Sequence, residues 1–557
     1  MRPLIAATLL LLATGVAPHR EDHGDLVVLH VAGTYREMGR QQAELLGPLA
    51  RDVFEFNRSD YGRSVAGQGV AARVFDALAL PLVSARLRGD PSGMGEQVAG
   101  LAEGLGVAPR EVLRASFALD AASTVFVATR SATVDGTALI GRNADWGDAG
   151  GRRRPVVTVF RPTNGDLAHV AAGWPLLTLP VIGLNEAGFA LSMNFFETEP
   201  LLQPFGGSWP HRRALQTARS VDDGLRIFAD AGASIAFACF MAMADASGAI
   251  ALLECRPGDG CAVFRPDGDW FAHANHARTA TMIPHDHYRS PDSFARQQGM
   301  EAAVGRALGA LGALGPVRAT EVLRDRTGHA YPNETSVANL FVLNAAVVAP
   351  AAGVLWHSTL QQPAAPFGAY VGVTLAPSGG AIAELPAAVR DPTGVRSEAE
   401  AVATARRAIQ AQRRAEEGSA DAEARTAALA EARALWEALA AERPPRLDPA
   451  RVALGLALAR HAQGDLAGAY DALEPAEAEE APFEARAEGF ASRALLADRL
   501  GRRDDAIRLW TRTLAHLDRA PEYNVFAEIR ALAEAGVSAP SRANALPIPW
   551  WDLGVPR

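Results

Sequence analysis

The amino-acid composition of the chain changes near residue 396, and this change predicts two parts with different structures. Residues 25–395 carry most of the glycine, proline and aromatic residues and mix short strand-like runs with helices. Residues 396–557 are rich in alanine, arginine, glutamate and leucine, which favour helices. The chain of 557 residues is 49% hydrophobic, enough for more than one folded domain. We therefore expect domains at 25–395 and 396–557, after an N-terminal segment of residues 1–24.

Hairpin signals dominate the first part. An Asp135-Gly136 turn separates a predicted strand at Ser123–Thr129 from another at Thr137–Arg142, and Ala246–Gly248 separates two further strands. Hairpins interleaved with helices predict an α+β layered domain with antiparallel sheets. A parallel doubly wound fold would need regular alternation of strands and helices, and the sequence shows no glycine-rich phosphate loop after a strand.

A period of 37 residues marks the second part. Alanines at 432, 469 and 506 share this spacing, as do Ala427, Gly464 and Gly501, and as do Trp436, Leu473 and Trp510. Small residues repeated at this length are typical of tetratricopeptide-like helical hairpins, and about three units are needed to bury their apolar faces. A plain helical bundle is the alternative, because alanine-rich sequence produces such matches easily.

The first residues resemble a secretory signal. Arg2 precedes an uncharged apolar run from Leu4 to Val16, and small residues at 15–17 offer a cleavage site. We expect export to the periplasm or the medium, with no membrane span after signal removal; an uncleaved N-terminal anchor is the alternative.

Cys255 and Cys261 flank a turn, and are either a hairpin disulfide or two ordinary strand cysteines.

Charge and motif content exclude several functions. A net charge of −9 argues against a general nucleic-acid binder. The kinase, Walker and nucleophile-elbow patterns are absent. The histidines at 273, 276, 285 and 287 lack a third ligand at metal-site spacing, so we predict no metal and no cofactor.

The most informative motif lies at the first hairpin. Ser123-Thr124 opens a strand, Asp135-Gly136 turns the chain, and Arg142-Asn-Ala-Asp145-Trp146 follows. This order resembles the isopenicillin-N acyltransferase-like family of the N-terminal-nucleophile hydrolase superfamily, whose members are autoproteolytic acyltransferases and amidases. The family has a cysteine where this chain has Ser123. Serine is an accepted nucleophile elsewhere in the superfamily, but the change also fits a relative that has lost its activity or its self-cleavage.

The resemblance extends over roughly residues 28–375 because further family-like pieces follow in the family's order. They are Gly33–Gly39, Gln41-Gln42, Glu103–Val107, Gly183–Gly188, Ser192–Asn194, Ala244–Gly248, Leu253-Glu254, His273–His276 and Ser293–Arg296. The resemblance implies a four-layer αββα sandwich. It also implies self-cleavage between Ala122 and Ser123, which would free an α-amino group with a pKa of about 7.7–8.0 to act as the base for the Ser123 hydroxyl.

The resemblance implies a role for five further residues. Asn194 is the first choice for the oxyanion donor and Asn275 the second. Asp145 would hold the new amino group and Arg142 would pair with Asp145, while Arg296 would supply a supporting charge.

The predicted substrate is a small-molecule acyl amide, cleaved or exchanged through an acyl-Ser123 intermediate, and the choice between hydrolase and transferase stays open. Trp174, Phe195 and Phe196 fit either an apolar acyl pocket or the core. One alternative is a non-catalytic binding protein on the same fold. The other is an interaction protein whose C-terminal helices bind a protein partner.

Overall fold

The structure is a computed structural model. It describes residues 17–67, 83, 87, 90–116, 121–146, 154–176, 178–198, 209–327, 336–339, 342–360, 365–375, 384–387, 392–416, 422–444 and 447–548. These residues divide into two compact units. The first comprises 1–286, 300–325 and 341–388, and the second comprises 287–299, 326–340 and 389–557. The boundaries predicted from composition, and the signal sequence, stay predictions; residues 1–16 lie outside the described residues.

The strands belong to the first unit and form two sheets. They are β1 His19–His23, β2 Leu26–Gly33, β3 Ala121–Arg130, β4 Gly136–Trp146, β5 Val156–Pro162, β6 His169–Gly173, β7 Ile182–Asn185, β8 Phe189–Phe195, β9 Cys239–Asp245, β10 Ile250–Arg256, β11 Gly260–Phe264, β12 Trp270–His273, β13 Val342–Ala349, β14 Val354–Ser358 and β15 Tyr370–Thr374. The nine-stranded sheet has the order β1-β2-β5-β6-β7-β8-β9-β10-β11, and the six-stranded sheet has the order β12-β3-β4-β13-β14-β15.

The helices lie in both parts of the chain. They are α1 Tyr35–Leu46, α2 Pro48–Gly67, α3 Met94–Leu105, α4 Pro109–Ser116, α5 Pro210–Thr217, α6 Val221–Ala231, α7 Pro291–Leu311, α8 Pro316–Leu323, α9 Pro392–Glu416, α10 Ala422–Glu442, α11 Pro449–Ala462, α12 Leu466–Ala472, α13 Phe483–Arg499, α14 Arg503–Leu517 and α15 Ala527–Ser538. The predicted mixed α+β architecture with a helical C-terminal region is therefore confirmed.

The predicted hairpins are present, with one exception to antiparallel pairing. Strands β3 and β4 pair across the Asp135-Gly136 turn, where Gly136 has a φ of 74°. Strands β2 and β5 pair in parallel, so the expectation of antiparallel sheets is wrong at this position. A parallel pair needs a long crossover, and the chain between these strands contains helices α1 to α4 as well as the β3–β4 hairpin of the other sheet.

The core of the first unit lies between the sheets and under the helices. Strands β3 and β4 contact β8 and β9 of the other sheet, while α5 and α6 contact the nine-stranded sheet and α8 contacts β4 and β13. Every residue of Cys239–Asp245 is buried. A strand covered on both faces needs an almost continuous apolar run, which explains the sequence of β9.

A disulfide closes the β10–β11 hairpin. Cys255 and Cys261 are opposite each other in the strand register, and their sulfur atoms are bonded. Of the two interpretations of these cysteines, the hairpin disulfide is therefore confirmed. Cys239 is a buried free thiol.

The second unit contains α9 to α15. Gly464 and Gly501, at equivalent positions of the 37-residue period, have φ values of 81° and 75° where the chain leaves α11 and α13. The equivalent alanines 432, 469 and 506 are fully buried. These positions are repeated in structure as well as in sequence, while the tetratricopeptide-like class stays a prediction. Within the described residues, we find no helix of the length and apolarity that crossing a membrane requires.

Three histidines buried in the first unit make its stability depend on pH. Burial lowers the pKa values of His169 and His357 to about 4 and that of His211 to about 3. Between these values and about 6.5, the unfolded chain binds protons that the folded chain does not, so stability falls as the pH is lowered through this window.

We expect the free energy of unfolding to fall between pH 7 and pH 5 by roughly 2 kcal/mol for each such histidine. In urea titrations at the two pH values, His357→Gln is expected to show a loss smaller by about that amount, because it removes one titrating group. His287→Gln, at an exposed position, is the control and should lose as much as the wild type. If the free energy of unfolding fell equally with pH in the wild type and in His357→Gln, the lowered pKa of His357 would be contradicted.

Candidate active site

Ser123 lies near the start of β3, in the six-stranded sheet. It is opposite Ala144 of β4, and its neighbour Ala122 is opposite Asp145. The register therefore places Asp145 opposite the residue that precedes Ser123, and its role in holding the new amino group stays a prediction. Ser123 is only 1% exposed, so its polar atoms need partners within the protein.

The backbone N–H and the hydroxyl of Ser123 both have such partners. Its backbone N–H donates to Oδ1 of Asn275 at 2.8 Å. Its Oγ accepts a hydrogen bond from Nη2 of Arg142 at 3.1 Å. Arg142 and Asn275 therefore contact the predicted nucleophile directly, one at the hydroxyl and the other at the nitrogen that self-cleavage would free.

Arg142 connects the two sheets. From β4 it donates through Nε and Nη2 to the carbonyl of Met193 in β8, at 3.2 and 2.6 Å. Burial lowers the pKa of Arg142 to about 9, against the opposing effect of the charge of Asp145. The guanidinium is consequently still charged at neutral pH. Nη1 of Arg142 is buried, with no hydrogen-bond partner in the part of the chain that the structure describes.

Asn194 and Asn275 join the end of β8 to the loop after β12, because each side chain bonds the backbone next to the other. Nδ2 of Asn194 donates to the carbonyl of Ala274 at 2.8 Å. Nδ2 of Asn275 donates to the carbonyl of Phe195 at 2.9 Å. Each side chain thus bonds the backbone beside the other asparagine, and the pair joins the end of β8 to the loop after β12. Asn275 differs from Asn194 in also accepting the N–H of Ser123.

The loop that follows Asn275 is fixed by two buried carboxylates. Oε1 of Glu254 accepts the N–H of Arg278 at 2.7 Å, and Oε2 accepts that of Thr279 at 3.0 Å. Oδ2 of Asp286 accepts the N–H of Ala277 at 2.7 Å. Neither Glu254 nor Asp286 was predicted to position this loop. The available signal was an acidic residue inside the apolar strand β10, because a buried carboxylate needs donors around it.

Arg296 belongs to the second compact unit, in α7. Its side chain is fully buried, and its guanidinium pairs with Asp292 at 3.1 Å. Its proposed role as a supporting charge stays a prediction.

A cavity of about 40 Å³ lies elsewhere in the first unit, between helices α1, α3 and α5 and strands β5 and β6. Gln97, Trp174 and Arg212 are among its lining residues, and Ser123 is not. Trp174, one of the aromatic residues considered for an acyl pocket, therefore faces this cavity. Phe196 is fully buried against Phe240, with ring centroids 4.4 Å apart, so its packing is that of a core residue.

Comparison with known proteins confirms the predicted resemblance. Residues 132–362 match the family described as acyl-coenzyme A:6-aminopenicillanic acid acyl-transferase. The matched segment is less than half of the 557 residues and begins after Ser123. It includes Arg142, Asp145, Asn194 and Asn275. The match supports, in general terms, an enzyme that transfers or hydrolyses acyl groups.

Two solved structures are similar to parts of the chain. The N-acylethanolamine-hydrolyzing acid amidase (NAAA) ortholog of Caenorhabditis elegans is 14% identical, with a TM-score of 0.31, over 41% of this chain and 93% of that chain. A mutant of the conjugated bile acid hydrolase from Clostridium perfringens is 11% identical, with a TM-score of 0.34, over 48% of this chain and 100% of that chain. Similarity at this level does not by itself define a fold or an activity. A search of curated proteins found no significant match.

The two asparagines provide a matched test of this geometry. Asn275→Ala leaves the buried Ser123 N–H and the carbonyl of Phe195 without these partners. Asn194→Ala removes one bond of 2.8 Å, to the carbonyl of Ala274, and a long, weak one of 3.5 Å to that of His273. Unsatisfied buried groups cost about 1–3 kcal/mol each. In urea unfolding, Asn275→Ala should lower the free energy of unfolding by roughly 2–4 kcal/mol and Asn194→Ala by about half as much. Equal losses in the two variants would mean that the bond to Ser123 contributes nothing.

Proposed function

We propose that the chain is an autoproteolytically activated amidohydrolase or acyltransferase, which acts on a carbon–nitrogen amide bond through an acyl-Ser123 intermediate. The observation that carries the proposal is the pair of bonds at Ser123, from Arg142 Nη2 to Oγ and from the backbone N–H to Asn275 Oδ1. The family matched by residues 132–362 supports acyl transfer as the reaction class.

The fold supports the same proposal. Two sheets in contact, with helices against the nine-stranded sheet and against β4 and β13 of the other, fit the four-layer αββα arrangement that the resemblance to N-terminal-nucleophile hydrolases implies. Ser123 is close to the start of β3, and its partner Arg142 reaches from this sheet to Met193 in the other. The serine therefore lies beside the contact between the two sheets.

Activation begins with the peptide bond between Ala122 and Ser123. Oγ of Ser123 attacks the carbonyl carbon of Ala122, the carbon–nitrogen bond breaks, and the nitrogen takes up the hydroxyl proton. Water then hydrolyses the resulting ester and leaves a carboxylate on Ala122 and a free α-amino group on Ser123. The charge of Arg142, 3.1 Å from Oγ, stabilises the developing alkoxide. Asn275 orients the nitrogen throughout, because Oδ1 accepts its hydrogen.

Catalysis on substrate then uses the freed amino group as the base. The amino group removes the proton from Oγ, which attacks the substrate carbonyl and forms an ester as the amine leaves with the proton. Water or an acceptor amine next releases the acyl group. Arg142 disfavours a second positive charge nearby, which keeps the amino group unprotonated at neutral pH.

Asn275 is the better candidate for the oxyanion donor. Nδ2 of Asn194 already donates to two carbonyls, that of Ala274 at 2.8 Å and that of His273 at 3.5 Å. The direct bond to Ser123 supports Asn275 ahead of Asn194, which reverses the order inferred from the resemblance.

A non-catalytic binding protein is the second candidate. Serine instead of the family's cysteine favours it, as does the near-complete burial of Ser123. A binder would keep the fold, the disulfide and the intact chain.

Two further proposals concern where the protein is located and what its helical second unit binds. The Cys255–Cys261 disulfide supports export, because disulfides persist in oxidising compartments. The helical second unit would bind a protein partner rather than perform chemistry.

Mass spectrometry of the purified chain tests self-cleavage. We expect a fragment that begins at Ser123, its absence in Ser123→Ala, and faster cleavage in Ser123→Cys, because a thiol is the stronger nucleophile. Ser131→Ala, which changes an exposed serine in the same hairpin, is the control and should be cleaved as the wild type is.

Turnover of N-acyl amides of graded chain length separates the two candidates. We expect Ser123→Ala to reduce hydrolysis or aminolysis by at least about 10³-fold, because the nucleophile makes the covalent bond. An intact wild-type chain that turns over no acyl amide would contradict the enzyme and support the binder.

A further inference from the structure

A histidine cluster lies on the β1–β2 hairpin, at the edge of the nine-stranded sheet. His19 and His30 are opposite each other in the register. Their rings are stacked, with centroids 4.2 Å apart and planes within 5°. The two side chains therefore lie on the same face of the hairpin, with the face of one ring against the face of the other.

Glu21 brings a carboxylate to the same face. Its Oε1 is 3.2 Å from Nε2 of His19 and 3.2 Å from Nε2 of His30. His23, two residues further along β1, places its Nε2 3.2 Å from Oε2 of Glu21. Residues 19, 21 and 23 share a face because side chains alternate along a strand. Three imidazoles and one carboxylate thus converge.

We propose that this hairpin binds a divalent transition-metal ion, with Zn²⁺ as the best chemical fit, through His19, Glu21 and His30. Two imidazole nitrogens and one carboxylate oxygen form a ligand set that zinc accepts, with water or His23 at the fourth position. In a tetrahedral site with metal–ligand bonds of 2.0–2.1 Å, the ligand atoms are roughly 3.3 Å apart. The observed separations from Glu21 are close to this value, and all three ligand atoms lie within 4.8 Å of one another.

Access and charge also fit an ion from solution. The side chains of His19 and Glu21 are 43% and 44% exposed, so a metal can enter without unfolding the hairpin. Binding requires the stacked rings to tilt so that both Nε2 lone pairs point to one ion. Arg161 acts electrostatically on His30 and opposes a cation, whereas the Glu21 carboxylate attracts one. Asp22 belongs to a different group, since it pairs with Arg20 at 2.6 Å.

The expected effect of the ion is to hold the edge strand β1 to β2. A ligand that binds the folded state alone stabilises it by mass action. The inference does not depend on the proposed acyl-transfer function, because none of its residues belongs to the Ser123 site.

Zinc titration calorimetry of the chelator-treated full chain, prepared without a histidine tag, tests the proposal. We expect one Zn²⁺ per chain with a dissociation constant in the micromolar range or below. His19→Ala and Glu21→Gln change exposed side chains, so folding should be retained, and each should weaken binding at least tenfold. His287→Ala is the control and should bind as the wild type does.

Thermal unfolding with ZnCl₂ provides the second measurement. Zinc should raise the unfolding temperature of the wild type and of His287→Ala but not that of His19→Ala. Two results would overturn the site: no zinc binding by the wild type at 100-fold excess, or equal affinity in His19→Ala, Glu21→Gln and the wild type.

Discussion

The hydrogen bond from the Ser123 N–H to Asn275 is the interaction on which the rest of the site depends. It fixes the start of β3 against the loop after β12. Nδ2 of Asn275 donates to the carbonyl of Phe195 and so fixes the same loop to the end of β8 in the other sheet. Arg142 adds an independent connection from β4 to β8. Together these bonds hold Ser123 in place from both sheets.

Nucleophilic chemistry needs groups that are held in place in this way. A hydroxyl is a weak nucleophile unless a base and a positive charge are held in place before the reaction begins. Arg142 retains its charge because burial lowers its pKa only to about 9. The carboxylates of Glu254 and Asp286 act one step further away, since they fix the loop that carries Asn275. The candidate site thus consists of a central serine, its direct contacts and the groups that orient them.

Much of the first unit was predictable from local sequence signals. The Asp135-Gly136 turn predicted the β3–β4 hairpin, and Ala246–Gly248 predicted the turn between β9 and β10. The pairing of β4 with β13 and the parallel β2–β5 pair were not predicted, because each joins segments far apart in sequence.

The site was predictable only in part, for the same reason. Its residues came from family resemblance, whereas the individual bonds of Arg142 and Asn275 depend on how the two sheets pack. The His19–His30 pair went unnoticed because strand register, rather than sequence spacing, makes these residues neighbours.

The most direct test of the central claim is covalent trapping of the nucleophile. The purified protein is treated with an activated acyl ester, quenched in acid, digested and sequenced by mass spectrometry. The account predicts an acyl group on Oγ of Ser123, in a peptide whose first residue is that serine. An acyl group on another residue, or turnover of the ester with Ser123 unmodified and still joined to Ala122, would contradict it.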